Sequence, residues 1–180
     1  GEAFERVKSL LDEFPVQKSR KHGFFSNSDA VLITYGDSLN QSGETPLNTL
    51  GNFARSYLKN AFSAIHILPF FPYSSDDGFS VMDFHAVNPD LGGWADVNDL
   101  NRDFELMFDL VLNHISAQSD WFRRYLNRDP GFEALALEVD PSHDLSMVTR
   151  PRTTPLLTPF TRTDGEIVHV WTTFSADQID

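Results

Sequence analysis

A chain of 180 residues with 41% hydrophobic content has the size of one ordinary domain and can bury a core. Its 14 Lys and Arg against 26 Asp and Glu give a formal net charge of -12, which excludes the basic footprint that nucleic acid or an anionic membrane surface requires. Cysteine is absent, which excludes a disulfide framework and thiolate chemistry and fits a cytoplasmic setting.

Phe4, Val7, Leu10, Leu11 and Phe14 recur at helical spacing, and Pro15 ends that helix. The segment is charged throughout and has no signal-peptide core. Lys18 to His22 reads as a polar connector. Ala30 to Tyr35 is a continuous apolar run of strand length, which predicts a strand covered on both faces. Thr45-Pro46 predicts a helix start, with Thr45 as N-cap and Pro46 in the first turn. A second buried strand is predicted over Ala64 to Leu68 and stopped by Pro69. A long loop runs from Phe70 to Gly93, followed by a short helix over Ala95 to Leu100. A third strand is predicted from about Phe104 to Leu112, ending in Asn113-His114, and a helix from Ser119 to Leu126. Prolines crowd residues 130 to 165, which read as an irregular insertion before one strand at Ile167 to Thr172.

Buried strands alternating with helices predict a parallel α/β sheet with right-handed crossovers. It closes either as an open doubly wound sheet or as part of an eight-stranded barrel. No glycine-rich phosphate loop follows any strand, so the usual cofactor motifs of the open sheet are missing and no cofactor is expected. The six His residues show no HExxH, no Asp-rich calcium loop is visible, and no metal is expected. No apolar run approaches the ~18 residues of a membrane span. The chain begins without Met and stops at Gln178-Ile179-Asp180 without a closing signal, so it reads as part of a longer protein.

Working residues of parallel α/β folds gather at the C-terminal ends of strands. Three places fit: Tyr35-Gly36-Asp37, Asp76-Asp77-Gly78-Phe79, and Asp109 to His114. Asp109 is a charge in an apolar strand and needs a partner. Strand alternation puts Asn113 on its face and Leu110, Leu112 and His114 on the other. By spacing alone, Asn113-His114 reads either as a polar strand-to-loop junction or as a ligand contact. Asp76 and Asp77 read either as a solvated turn or as carboxylates for sugar hydroxyls, with Phe79 as a flat platform. Arg150-Pro151-Arg152 is a basic island suited to phosphate or carboxylate.

Taken together, Leu32 to Asp37, His66 to Phe71, Asp76 to Phe79 and Asp109 to His114 resemble the sucrose phosphorylase branch of the α-amylase superfamily. Arg150 to Arg152 and Phe174 to Asp180 extend the match, which runs from about Val31 to the end of the chain. The resemblance implies the N-terminal part of a (β/α)8 TIM barrel, about its first three β/α units, with an irregular domain inserted after the third strand. Residues 1–29 then form an N-terminal helix and connector, 30–128 the first barrel units, and 129–180 the insertion and return.

The resemblance also implies a retaining glycoside phosphorylase, a glycosyltransferase-type enzyme that moves glucose from a small glucoside to inorganic phosphate and yields glucose 1-phosphate. Asp76 and His114 match residues that hold the glucosyl hydroxyls. Phe79 and Phe174 match aromatic residues lining the pocket. Arg152 matches an arginine facing phosphate or the leaving sugar, and Gln178 a polar residue near the acceptor. Asp109 and Asn113 match architectural positions. The family's nucleophile and acid/base would lie beyond Asp180, so the isolated chain is expected to be inactive and to expose unpaired barrel edges. Thr149 and Thr153 to Leu157 depart from the sucrose-specific pattern, which leaves glucosylglycerate and glucosylglycerol phosphorylases as alternatives. A hydrolase or transglucosidase of the superfamily and a non-catalytic sugar-binding protein also stay open.

Overall fold

The computed structural model describes residues 1–14, 26, 27, 29–149 and 152–180. The elements are α1 (Glu2–Glu13), β1 (Val31–Thr34), α2 (Pro46–Phe53), β2 (Ala64–Ile67), α3 (Trp94–Leu100), β3 (Glu105–Phe108), β4 (Ile115–Ser116), α4 (Asp120–Leu126), β5 (Leu157–Thr161), β6 (Ile167–Trp171) and β7 (Gln178–Ile179). The expected stop at Pro15 and the connector from Lys18 to His22 lie outside the described residues. None of the α1 side chains is buried.

Three strands form a parallel sheet in the order β1-β2-β3. Both crossovers pack on the same face. Leu47, Ala54, Val97 and Leu100 from the helical segments meet Ile65 and Ile67 of β2 in one core. Burying each such aliphatic side chain contributes about 1.5–3 kcal/mol. Sequential strand order with one covered face is how a barrel begins; an open doubly wound sheet would carry helices on both faces.

Local chemistry explains the element ends. Thr45 Oγ1 accepts the Asn48 N–H at 3.4 Å, and Pro46 fills the first turn of α2. At α3, the Gly93 N–H donates to Asp96 Oδ2 at 2.9 Å. At α4, Ser119 Oγ accepts the Phe122 N–H at 3.0 Å.

Three expectations are corrected. The β1 run is not covered on both faces, because Ile33 is 62% exposed and Val31 45%. They share a face of the sheet on which no described helix packs, the face that a closed barrel turns inward. The third strand stops at Phe108 rather than Leu112. Its ladder partner β2 ends at Ile67, opposite Phe108, and Pro69 follows with no N–H to give. Beyond that point strand alternation fails, so Leu110 and Leu112 are exposed while His114 is buried. Finally, residues 130 to 165 are not wholly irregular. β5 pairs with β6 as an antiparallel hairpin in which Pro159 lies opposite His169. β6 also meets Glu138 on its other side, so β5 is an edge, where proline is tolerated.

The hairpin and α4 share a second core of Phe122, Tyr125, Val168, Val170 and Ile179. The segment after residue 129 is therefore packed directly against α4. β4 and β7 join the two cores through a short antiparallel ladder, Ile115↔Ile179 and Ser116↔Gln178.

Candidate functional site

The loop after β2 folds back on itself. Tyr73 bridges Val81, the Ser74 N–H donates to Ser80 O at 3.0 Å, and the Met82 N–H donates to Pro72 O at 2.8 Å. Inside this lobe the chain makes a left-handed turn, with φ of +57° at Asp76, +50° at Asp77 and +104° at Gly78. Such backbone is costly for the two aspartates and persists only when its surroundings hold it. Glycine is required at the third position, because a Cβ there would lie 2.6 Å from Pro69 O.

The lobe, the residue before β4 and strand β7 meet at one place. Gln178 Nε2 donates to Asp76 Oδ2 at 3.0 Å. His114 Nε2 lies 3.0 Å from Phe79 O and 3.2 Å from Gln178 Nε2. A carbonyl only accepts, so Nε2 carries the ring proton and gives it to Phe79. It cannot then also accept from Gln178, whose amide N–H goes to Asp76. The other ring nitrogen, Nδ1, is buried with no hydrogen-bond partner among the described residues. Ser175 Oγ donates to Gln178 Oε1 at 3.0 Å and fixes which way that amide faces. The Phe174 ring sits 5.1 Å from the His114 ring, inclined by 57°. Gln178 and His114 are buried, whereas Asp76 and Asp77 are exposed.

Thus Asp76, His114, Gln178 and Phe174 converge, and Phe79 joins them through its carbonyl. Arg152 is exposed, and among the described residues no hydrogen bond or ion pair joins it to that group. It lies just before Thr154, whose hydroxyl donates to Phe174 O at 3.2 Å, so its segment is tethered beside the site. Asp109, half-buried just past the end of β3, finds a partner in His66, whose Nε2 lies 3.0 Å from its Oδ2. Asn113 is exposed, and its side chain hydrogen-bonds to no described residue.

Sequence reasoning missed the group beside the site. Asp177 Oδ2 accepts from Ser74 Oγ and from Ser75 Oγ, each at 2.7 Å. The hint was a Ser-Ser pair directly before Asp76 and an aspartate directly before Gln178, too ordinary to single out. A neighbouring cleft of about 420 Å³ is lined by Tyr35, Asp37, Tyr73, Asp77 and Asp90 among others. Asp77 borders it and Asp76 does not. Among the described residues no three His, Cys, Asp or Glu side chains group to hold a metal ion, and no helix is long and apolar enough to cross a membrane.

Comparison with known proteins identifies the family. Residues 55–161 match the α-amylase catalytic domain family. The chain is 57% identical over 154 residues to the glucosylglycerate phosphorylase of Spirochaeta thermophila, covering 86% of this chain and 26% of that protein. It is 51% identical over 175 residues to the glucosylglycerate phosphorylase of Allomeiothermus silvanus, covering 97% of this chain and 31% of that protein. The crystal structure of sucrose 6F-phosphate phosphorylase from Thermoanaerobacter thermosaccharolyticum superposes with a TM-score of 0.76 at 30% identity, covering 87% of this chain and 34% of that one. The chain therefore spans between about a quarter and a third of the length of these relatives. The three parallel β/α units are the opening part of a TIM barrel, and the chain belongs to the α-amylase family.

Proposed function

We propose that the protein carrying this chain is a retaining glucoside phosphorylase whose donor is glucosylglycerate. The observation that carries the reading is the convergence of Asp76 from the loop after β2, His114 from the segment after β3 and Gln178 of β7 beside Phe174. A carboxylate and an imidazole at one spot suit the vicinal hydroxyls of a glucosyl ring, and an aromatic face suits its C–H surface. The two glucosylglycerate phosphorylases share 57% and 51% of aligned residues with the chain, against 30% for the sucrose 6F-phosphate enzyme, which favours glycerate over a sugar as leaving group.

In this reading Asp76 and His114 fix the glucosyl unit, and Gln178 orients Asp76. Phe79 and Phe174 line the pocket. Arg152 supplies a cation on the acceptor side, where phosphate must enter and the glycerate carboxylate must leave. A carboxylate nucleophile beyond Asp180 attacks C1 and forms a glucosyl ester as the C1–O bond to glycerate breaks. A second carboxyl group protonates the departing oxygen. It then takes a proton from phosphate, whose oxygen displaces the ester to give glucose 1-phosphate with retained configuration.

The test is to incubate the whole protein separately with glucosylglycerate, sucrose and glucosylglycerol, with and without phosphate, and to quantify glucose 1-phosphate. Phosphate-dependent release, fastest from glucosylglycerate, is the expected result. Release of free glucose irrespective of phosphate would replace this reading with a hydrolase.

A further inference from the structure

Beside the convergence of Asp76, His114 and Gln178, one residue, Asp177, ties three stretches of chain together. Asp177 Oδ2 accepts the hydroxyls of Ser74 and Ser75 at 2.7 Å each. Its backbone carbonyl accepts the Ser80 hydroxyl at 3.0 Å and the Ala117 N–H at 2.9 Å. The serines are themselves ordered. Ser116 Oγ receives the Gln118 N–H at 3.0 Å and lies 2.6 Å from Ser74 Oγ. A carboxylate can only accept, so the Ser74 proton must go to Asp177 and the Ser116 proton to Ser74. The direction of the whole chain is set by the charge at its end. Ser80 and Ser116 are fully buried and Ser74, Ser75 and Asp177 are half-buried, so the inner half of this network is shielded from solvent.

Its position gives it a consequence. Ser75 precedes Asp76, and Asp177 precedes Gln178. The two dipeptides are joined by parallel rungs: Ser75 to Asp177, and Asp76 to Gln178 at 3.0 Å. Only the upper rung contains the proposed sugar-binding carboxylate. Asp76 and Asp77 hold positive φ, a conformation the aspartates would leave without external restraint.

We propose that Asp177 is a positioning residue for the donor pocket. With Ser74 and Ser75 it holds the left-handed turn so that the Asp76 carboxylate stays at the distance from Gln178 and His114 that a glucosyl ring needs. This rests on the reading of that group as the glucosyl pocket.

The experiment compares the whole wild-type protein with Asp177→Asn, Ser75→Ala and Ser75→Thr. The probe is D-glucose, titrated by calorimetry, alongside the KM for phosphate, kcat and the thermal midpoint. Loss of one hydrogen bond to a charged group corresponds to about a 10- to 150-fold change in an equilibrium. Asp177→Asn and Ser75→Ala are expected to weaken glucose binding by a factor in that range, with the KM for phosphate unchanged. Ser75→Thr, which keeps the hydroxyl, is expected to bind as wild type. Should Asp177→Asn fail to fold, Ser75→Ala and its threonine counterpart carry the comparison. A lowered thermal midpoint with unaltered glucose affinity would overturn the proposal and leave the pocket reading standing. Wild-type protein that neither binds glucose nor yields glucose 1-phosphate would overturn both.

Discussion

Replacing Gly78 with alanine tests how tightly the Asp76 turn is built. Gly78 has φ of +104°, so any L-residue pays a backbone penalty of roughly 1–2 kcal/mol there. The new Cβ would also stand 2.6 Å from Pro69 O and 3.1 Å from Pro69 Cβ. Pro69 cannot retreat. Before it, the Leu68 N–H is bonded to Thr34 O at 2.9 Å, and after it Phe70 is buried with its carbonyl bonded to the Asn88 N–H at 2.8 Å. Overpacking of this kind costs about 1–3 kcal/mol. The sum is about 2–5 kcal/mol. Gly43 is the control, since its φ is +86° and a Cβ there would meet nothing within 4 Å. Gly43→Ala should show the backbone penalty alone. The assay is urea unfolding of the whole protein followed by tryptophan fluorescence, with glucose titration in parallel. Gly78→Ala should lose stability beyond Gly43→Ala by about 1–3 kcal/mol and weaken glucose binding, because the turn must shift to relieve the contact. Equal losses in the two variants would refute the clash and the claim that Pro69 is immobile.

Asp76→Ala and His114→Ala should each lower kcat/KM for the donor by about 10- to 150-fold or more, the range for losing a hydrogen bond to a charged or polarised group, while circular dichroism stays unchanged; near-normal turnover in both would remove them from the pocket. Ser119→Ala strips the buried cap of α4 and should destabilise by about 1 kcal/mol, read as a lowered urea midpoint. Burial, then the hydrogen bond to Glu138, pushes the Tyr125 hydroxyl well above its ordinary range. The native state therefore keeps a proton that the unfolded chain loses above about pH 10, and stability should fall as pH rises beyond that point. Tyr125→Phe should flatten this alkaline loss in a thermal scan series from pH 8 to 11.

What could be read from the sequence was local. Thr45-Pro46 announces its helix because cap and first-turn chemistry depend on neighbours only. The apolar runs around Ile33 and Ile65 give strands for the same reason. Pro159 concealed β5, since a proline argues against a strand until one knows that the strand is an edge. The end of β3 was overestimated because Asp109 to Leu112 has strand composition but no ladder partner. Asp76, His114 and Gln178 are each legible as candidate residues, yet the contacts of Gln178 with Asp76 and of Asp177 with Ser75 are not, since each pair lies about a hundred residues apart along the chain. Nothing in the spacing of single residues encodes such a contact.

The two-residue ladder of β4 and β7 also has a kinetic meaning. The parallel sheet and α4 are assembled from contacts between neighbouring segments, whereas the bond from Ser74 to Asp177 spans a separation of 103 residues. Closing so long a loop costs entropy that is repaid only after the β5–β6 hairpin has docked on α4. The expected order of folding is sheet first, hairpin next, and the β4–β7 ladder last. The backbone amide of Ala117, bonded to Asp177 O, is the reporter of that final step. In pulse-labelled hydrogen exchange it should gain protection after the amides of β2.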